Sequence, residues 1–115
     1  MSRELPQTSV IGAAGEHLVL SHLLKNNFVA GTAPYNTKDY DLVVLSKDGA
    51  ASSPIQVKTA MQHKKSGATD GWILRDKHEI ALPNLIFCFV RMYLDSDHSE
   101  IHVIDSKTVA YAAKK

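Results

Sequence analysis

Four polar side chains carry the chemistry this sequence can offer: Glu16, Asp41, Gln56 and Lys58. Gln56 and Lys58 are two apart, so on an extended strand they point to one side. Asp48 followed by Gly49 is a turn signal, and it makes the segments before and after it a hairpin. With Ser46 set opposite Ser53, Asp41 faces Lys58 and Val43 faces Gln56. Gln56 is then diagonal to Asp41, at roughly 7–8 Å. Oxygens so placed can share one hard cation such as Mg²⁺. A lysine beside that ion can orient or deprotonate a water and offset the charge of a phosphate. Phosphodiester hydrolysis needs these parts: an activated water and a stabilised, highly charged transition state.

The elements that must position them follow from the pattern of apolar residues. Residues 9–27 are rich in Val, Ile, Leu and Ala and too long for a strand, so they are expected to form a helix with Thr8 or Ser9 as its cap. Gly12, Glu16, Val19, Leu20 and Leu23 share one face of it. Glu16 thus sits in an apolar stripe, where an unpaired carboxylate is costly. It needs Lys58, a metal or water at the rim. An extended piece starts at Phe28, and a loop at Gly31. Residues 40–45 and 54–59 are the hairpin strands, with Pro54 at the first position of the second. Residues 63–71 read as a polar loop and Trp72 as the start of a short strand. Residues 85–94 form a buried strand, 95–99 a turn, 101–104 another strand, and Asp105 or Ser106 caps a last helix to Lys115. The order implies an α/β fold with a mixed sheet flanked by helices.

Composition sets the outer bounds. The chain has 115 residues, 44% hydrophobic and 22% charged, with a net charge of +1. That suits one domain, residues 1–115, with an ordinary core. The charge neither demands nor forbids a nucleic-acid partner. The single cysteine, Cys88, lies in an apolar run and reads as a buried small hydrophobe. The first residues lack the apolar run of a secretory signal, and no apolar run approaches the ~20 residues of a membrane span. A cytoplasmic protein that makes no membrane contact is expected. The six histidines fall in scattered positions, no pair having ligand spacing with a third ligand, so zinc is not expected.

Gly12, Gly15 and Glu16, then Asp39 and Asp41, then Ile55, Gln56, Val57, Lys58 and Thr59 form an ordered set that resembles the PD-(D/E)XK nuclease superfamily. The likeness is to its small Holliday-junction-resolvase-like members and covers nearly the whole chain. It implies a restriction-endonuclease-like core and a metal-dependent endonuclease acting on DNA. Glu16, Asp41, Gln56 and Lys58 would be the catalytic residues. Asp41, Gln56, Val57 and Glu16 would form the Mg²⁺ (or Mn²⁺) site. Lys64, Lys65, Lys38 and Thr59 would contact nucleic acid. A homodimer, or a place in a larger nuclease system, is the implied assembly. Two positions depart from the pattern. Gln56 stands where the family has an acid, and Tyr40 stands where it has the proline before Asp41.

Each residue also has a plainer reading. Asp41 and Lys58 could be a cross-strand ion pair, worth little if exposed. Glu16 could be a rim carboxylate, and Gln56 a half-exposed strand residue. Lys64 and Lys65 could lie in a solvated loop, and Trp72 could be a core anchor. The corresponding alternative function is a non-catalytic module that binds nucleic acid or protein, such as a defence or toxin–antitoxin component.

Overall fold

The computed structural model describes residues 4–34, 37, 39–46, 48–63 and 84–105. They comprise helix α1 (Thr8–Lys25) and strands β1 (Val29–Thr32), β2 (Leu42–Leu45), β3 (Ser52–Gln62), β4 (Ile86–Tyr93) and β5 (Ser96–Asp105). The sheet order is β1-β2-β3-β4-β5. All neighbours are antiparallel except β3 and β4, which run parallel. The expected α/β fold with a mixed sheet is therefore present. The expected strand at Trp72 and the last helix fall outside the described residues, as do Lys38, Lys64 and Lys65.

Helix α1 lies on one face of the sheet. Val19 packs with Leu42, Ile55, Cys88 and Val90, and Leu18, Leu20 and Leu23 add to this layer. Alternation along the strands sends Leu85, Phe87 and Phe89 to the other face, where Tyr40 and Ile104 join them. Cys88 is buried, as its apolar neighbours imply, and loss of water pushes its thiol up to about 11. The helix starts one residue earlier than expected. Its cap position is Gln7, which makes no side-chain capping bond, so neither Thr8 nor Ser9 caps it. It ends at Lys25, where Asn26 and then Asn27, at φ 69°, turn the chain into β1.

The β2–β3 register differs from expectation by two residues. Val44, not Ser46, faces Ser53, and Leu42 faces Ile55. The turn chemistry explains the shift. The Ser46 N–H donates to the Ala51 carbonyl, and the Ser46 hydroxyl both donates to Asp48 and accepts from the Ala51 N–H. Gly49, at φ 74°, supplies the left-handed residue. This side-chain clasp closes the hairpin at Ser46 and Ala51, two residues tighter than a turn closed by Ser53. Because the shift is even, no side chain changes face.

Several strands also run beyond their expected bounds. β3 extends to Gln62 because β4 pairs with it over that length. At its other end β3 starts at Ser52, opposite Leu45 of β2, so Pro54 is inside the strand rather than at its start. The β4 ladder begins only at Ile55 and Ile86, so no β4 partner stands opposite Pro54 to need its missing N–H. β5 begins at Ser96, and the expected turn over residues 95–99 shrinks to Leu94 and Asp95. Among the described residues no helix is long and apolar enough to cross a membrane.

Candidate metal centre

The site is a notch in the sheet. The β2–β3 ladder ends at Leu42 and Ile55, while β3 continues beside β4 to Gln62. At the break the Asp41 N–H donates to the Ile55 carbonyl at 2.8 Å, although Ile55 is already the partner of Leu42. Two residues thus share one partner, as in a β-bulge, and such a kink re-aims a side chain. The Asp41 carboxylate reaches along β3 and accepts a hydrogen bond from the Val57 N–H at 2.8 Å. It takes the place of the carbonyl that a longer β2 would have offered. In a strand the N–H and C=O of one residue face the same neighbour. The Val57 carbonyl is therefore turned toward this edge too.

Helix α1 supplies the third member. Gly15 lies directly over Thr59 of β3. A methyl group at Gly15 would overlap the Thr59 hydroxyl and stand 2.8 Å from its Cβ and Cγ2. The helix approaches so closely only because no side chain intervenes. The Thr59 hydroxyl is buried with no hydrogen-bond partner among the described residues, and the Gly15 Cα–H is aimed at it. This contact brings the next residue, Glu16, to the notch. Its carboxyl is pushed above its ordinary value of 4.5, first by loss of water and then by the Asp41 charge, with His17 opposing. Two carboxylates therefore share this part of the molecule.

Gln56 and Lys58 stand on the other flank. Ile55 and Val57 pack into the helix-side layer, so the alternate residues point to the face of Phe87 and Phe89. Gln56 is buried there, 9% exposed, and Lys58 is half-buried. The β2–β3 ladder ends at Leu42 and Ile55, so the expected register that set Asp41 opposite Lys58 is not the observed one. The notch is thus bordered by Glu16 on one side of the sheet and by Gln56 and Lys58 on the other. Asp41 and the Val57 main chain lie between them. Two carboxylates and a carbonyl are hard oxygen donors of the kind Mg²⁺ takes, with water completing its shell. Among the described residues no group of three or more His, Cys, Asp or Glu is clustered for a metal. Any ion here relies on neutral oxygens beside the two acids.

Two features were not read from the sequence. The Gly15–Thr59 contact had a signal: a glycine inside a helix costs about 1 kcal/mol against alanine and often marks close packing. The second is a polar cluster at the far end of the sheet. There Glu100 accepts from the Tyr93 hydroxyl at 2.8 Å and lies 3.9 Å from the buried Arg91 and 4.0 Å from His102. Its signal was alternation on two neighbouring strands, legible only once their register is known. An apolar cleft of about 350 Å³ opens between α1, β4 and β5, lined by residues that include Val19, Leu23, Cys88 and Ile101. None of the residues at the notch lines it.

No family model, no curated protein and no solved structure matches the chain.

Proposed function

We propose that this protein is a divalent-metal-dependent endonuclease that hydrolyses DNA, built on a restriction-endonuclease-like core of the PD-(D/E)XK type and working in the cytoplasm. The observation that supports it most is the notch. Asp41 is clasped to the Val57 N–H at 2.8 Å where β2 stops and β3 runs on, and Glu16, on the helix above, loses water and feels the Asp41 charge. Holding two like charges together has a cost that a cation removes. Asp41, Glu16, the Val57 carbonyl and the Gln56 amide oxygen would hold Mg²⁺ or Mn²⁺. When bound, such an ion polarises phosphate and lowers the pKa of water. Lys58 would orient the water and offset phosphate charge. Lys38, Lys64 and Lys65 would line the DNA path; Thr59, expected beside them, is instead covered by Gly15 of α1 with its hydroxyl buried, and drops out of that set.

A second reading is a non-catalytic module with the same fold. Gln56 favours it, since it is buried and brings no charge to the ion. Purified protein incubated with supercoiled, linear and branched DNA, with Mg²⁺, Mn²⁺ or EDTA, separates the two. Cleavage that requires metal and falls at least about a hundredfold in Lys58→Ala, with DNA binding kept, is the expected result. Equal rates for wild type and Lys58→Ala, or no cleavage under any metal, would favour the module. Gln56→Glu adds a charged ligand, so calorimetry should show tighter Mg²⁺ binding.

A further inference from the structure

Helix α1 fills only part of its side of the sheet. A helix is about 10 Å wide and five strands span about 19 Å, so one helix leaves a strip uncovered. Its contacts are with β1, β2, β3 and β4. Ile101 and Val103 of β5 are the cross-strand partners of Val90 and Cys88, which lie in the helix-side layer, so both face that way too. Val103 is nevertheless 68% exposed. Between this strip and the flank of α1 lies the apolar cleft of about 350 Å³, with Val19, Leu23, Phe28, Cys88, Ile101 and Val103 on its walls.

The chain itself leads to this cleft. β5 ends at Asp105, two residues past Val103 and on the same side of the sheet. Residues 106–115 follow it and lie outside the described residues. Their sequence has a helical period. Val109, Ala110, Ala112 and Ala113 fall on one half of a helix, and Lys107, Tyr111, Lys114 and Lys115 on the other. Asp105 is of the type that favours the cap position before such a helix. We propose that residues 106–115 fold back over the cleft as a helix, antiparallel to β5 and beside α1.

Length and shape both favour this occupant. Ten helical residues rise about 15 Å, and β5 rises about 14 Å from Ile101 to Asp105. The helix therefore spans the β5 wall of the cleft. Val109, about 6 Å along from Asp105, comes level with Val103 and its partner Cys88. Ala112 and Ala113 come level with Ile101, where small side chains let the helix lie close to the sheet. The lysines then face water, and the exposed Val103 gains an apolar cover. The proposal is independent of the metal site, because no residue at the notch lines the cleft.

Nuclear magnetic resonance on the full chain tests it. Methyl Overhauser contacts should run from Val109 to Val103 or Val19, and the amides of residues 110–113 should exchange at least about tenfold more slowly than in a free chain. Val103→Lys, harmless to a side chain that stays in water, should remove about tenfold of that protection and speed alkylation of Cys88. Val109→Asp should do the same from the other side of the contact. Tyr111→Asp has the same cost in helix propensity but lies on the outer half, so it should change neither readout. If Val109→Asp fails to fold by circular dichroism, Val103→Lys still decides. Free-chain exchange over residues 110–113 would overturn the proposal. So would protection that Val103→Lys leaves untouched, or an equal loss in Tyr111→Asp.

Discussion

At the far end of the sheet Glu100 accepts a hydrogen bond from Tyr93 and lies near Arg91 and His102, and its carboxyl is held below its ordinary value, chiefly by the Tyr93 bond. At the notch Glu16 loses water and faces Asp41, and its carboxyl is held above its ordinary value. Both residues border core and solvent, yet one accepts a hydrogen bond beside the Arg91 guanidinium, while the other loses water and feels a like charge that His17 only partly offsets. A carboxylate whose neighbours all favour its charge is accounted for by the fold alone. A carboxylate kept beside a second one is not. It is held there by the close Gly15–Thr59 contact, at some cost to the folded state.

The largest expected effect attacks the contact that creates the contrast. Gly15→Ala should destabilise the protein by about 1–3 kcal/mol through overpacking, less the ~1 kcal/mol that alanine returns as a better helix former. Denaturant unfolding should show the loss, and Thr59→Gly in the same chain should recover part of it by removing the Cβ and Cγ2 that block the methyl. A Gly15→Ala protein as stable as wild type would mean that the helix does not sit so close, and the reason for Glu16 at the notch would go with it.

Next comes one chemical change made in two places. Glu16→Gln should raise the melting temperature at pH 7 in metal-free buffer, whereas Glu100→Gln should lower it. The signs follow from the shifts. The raised carboxyl of Glu16 favours the folded state below its ordinary value of 4.5, and that benefit is lost as pH rises through the higher folded value. The lowered carboxyl of Glu100 contributes above 4.5, and its benefit is lost as pH falls through the lower folded value. Melts repeated near pH 3 should show both differences shrinking. Shifts of the same sign at pH 7 would dissolve the comparison between the two regions.

The smallest signal is the Cys88 thiol, buried in the layer beneath α1. Held at about 11, it should stay neutral at pH 8 and resist alkylation until denaturant is added. Faster labelling in Gly15→Ala than in Glu100→Gln would show that the helix-side layer loosens first. Equal labelling would mean that the two ends of the sheet are not separable.

Much of this was legible before any coordinates. Alternation and apolar runs located α1, the hairpin strands and β4, and the spacing of Gln56 and Lys58 put them on one side of β3. The turn was the weak point. Asp48 and Gly49 marked where it falls, but its width depended on the Ser46 hydroxyl, which closes the loop two residues early. The bounds of β3 and β5 depended on the partners beside them, because a strand's length is set by the ladder it joins as much as by its own residues.

By itself the sequence determined which side chains could do chemistry and which faces must be buried, because residue type and a period of two or 3.6 are properties of the chain. Only the tertiary structure decided who meets whom. The early end of β2 turned Asp41 onto the Val57 N–H, and the bare backbone at Gly15 drew Glu16 toward that carboxylate. The packing of α1 on the face of Ile55 and Val57 left Gln56 and Lys58 on the opposite flank of the same notch. Each of these depends on register and approach between segments far apart in the chain, and no local pattern of residues carries that information.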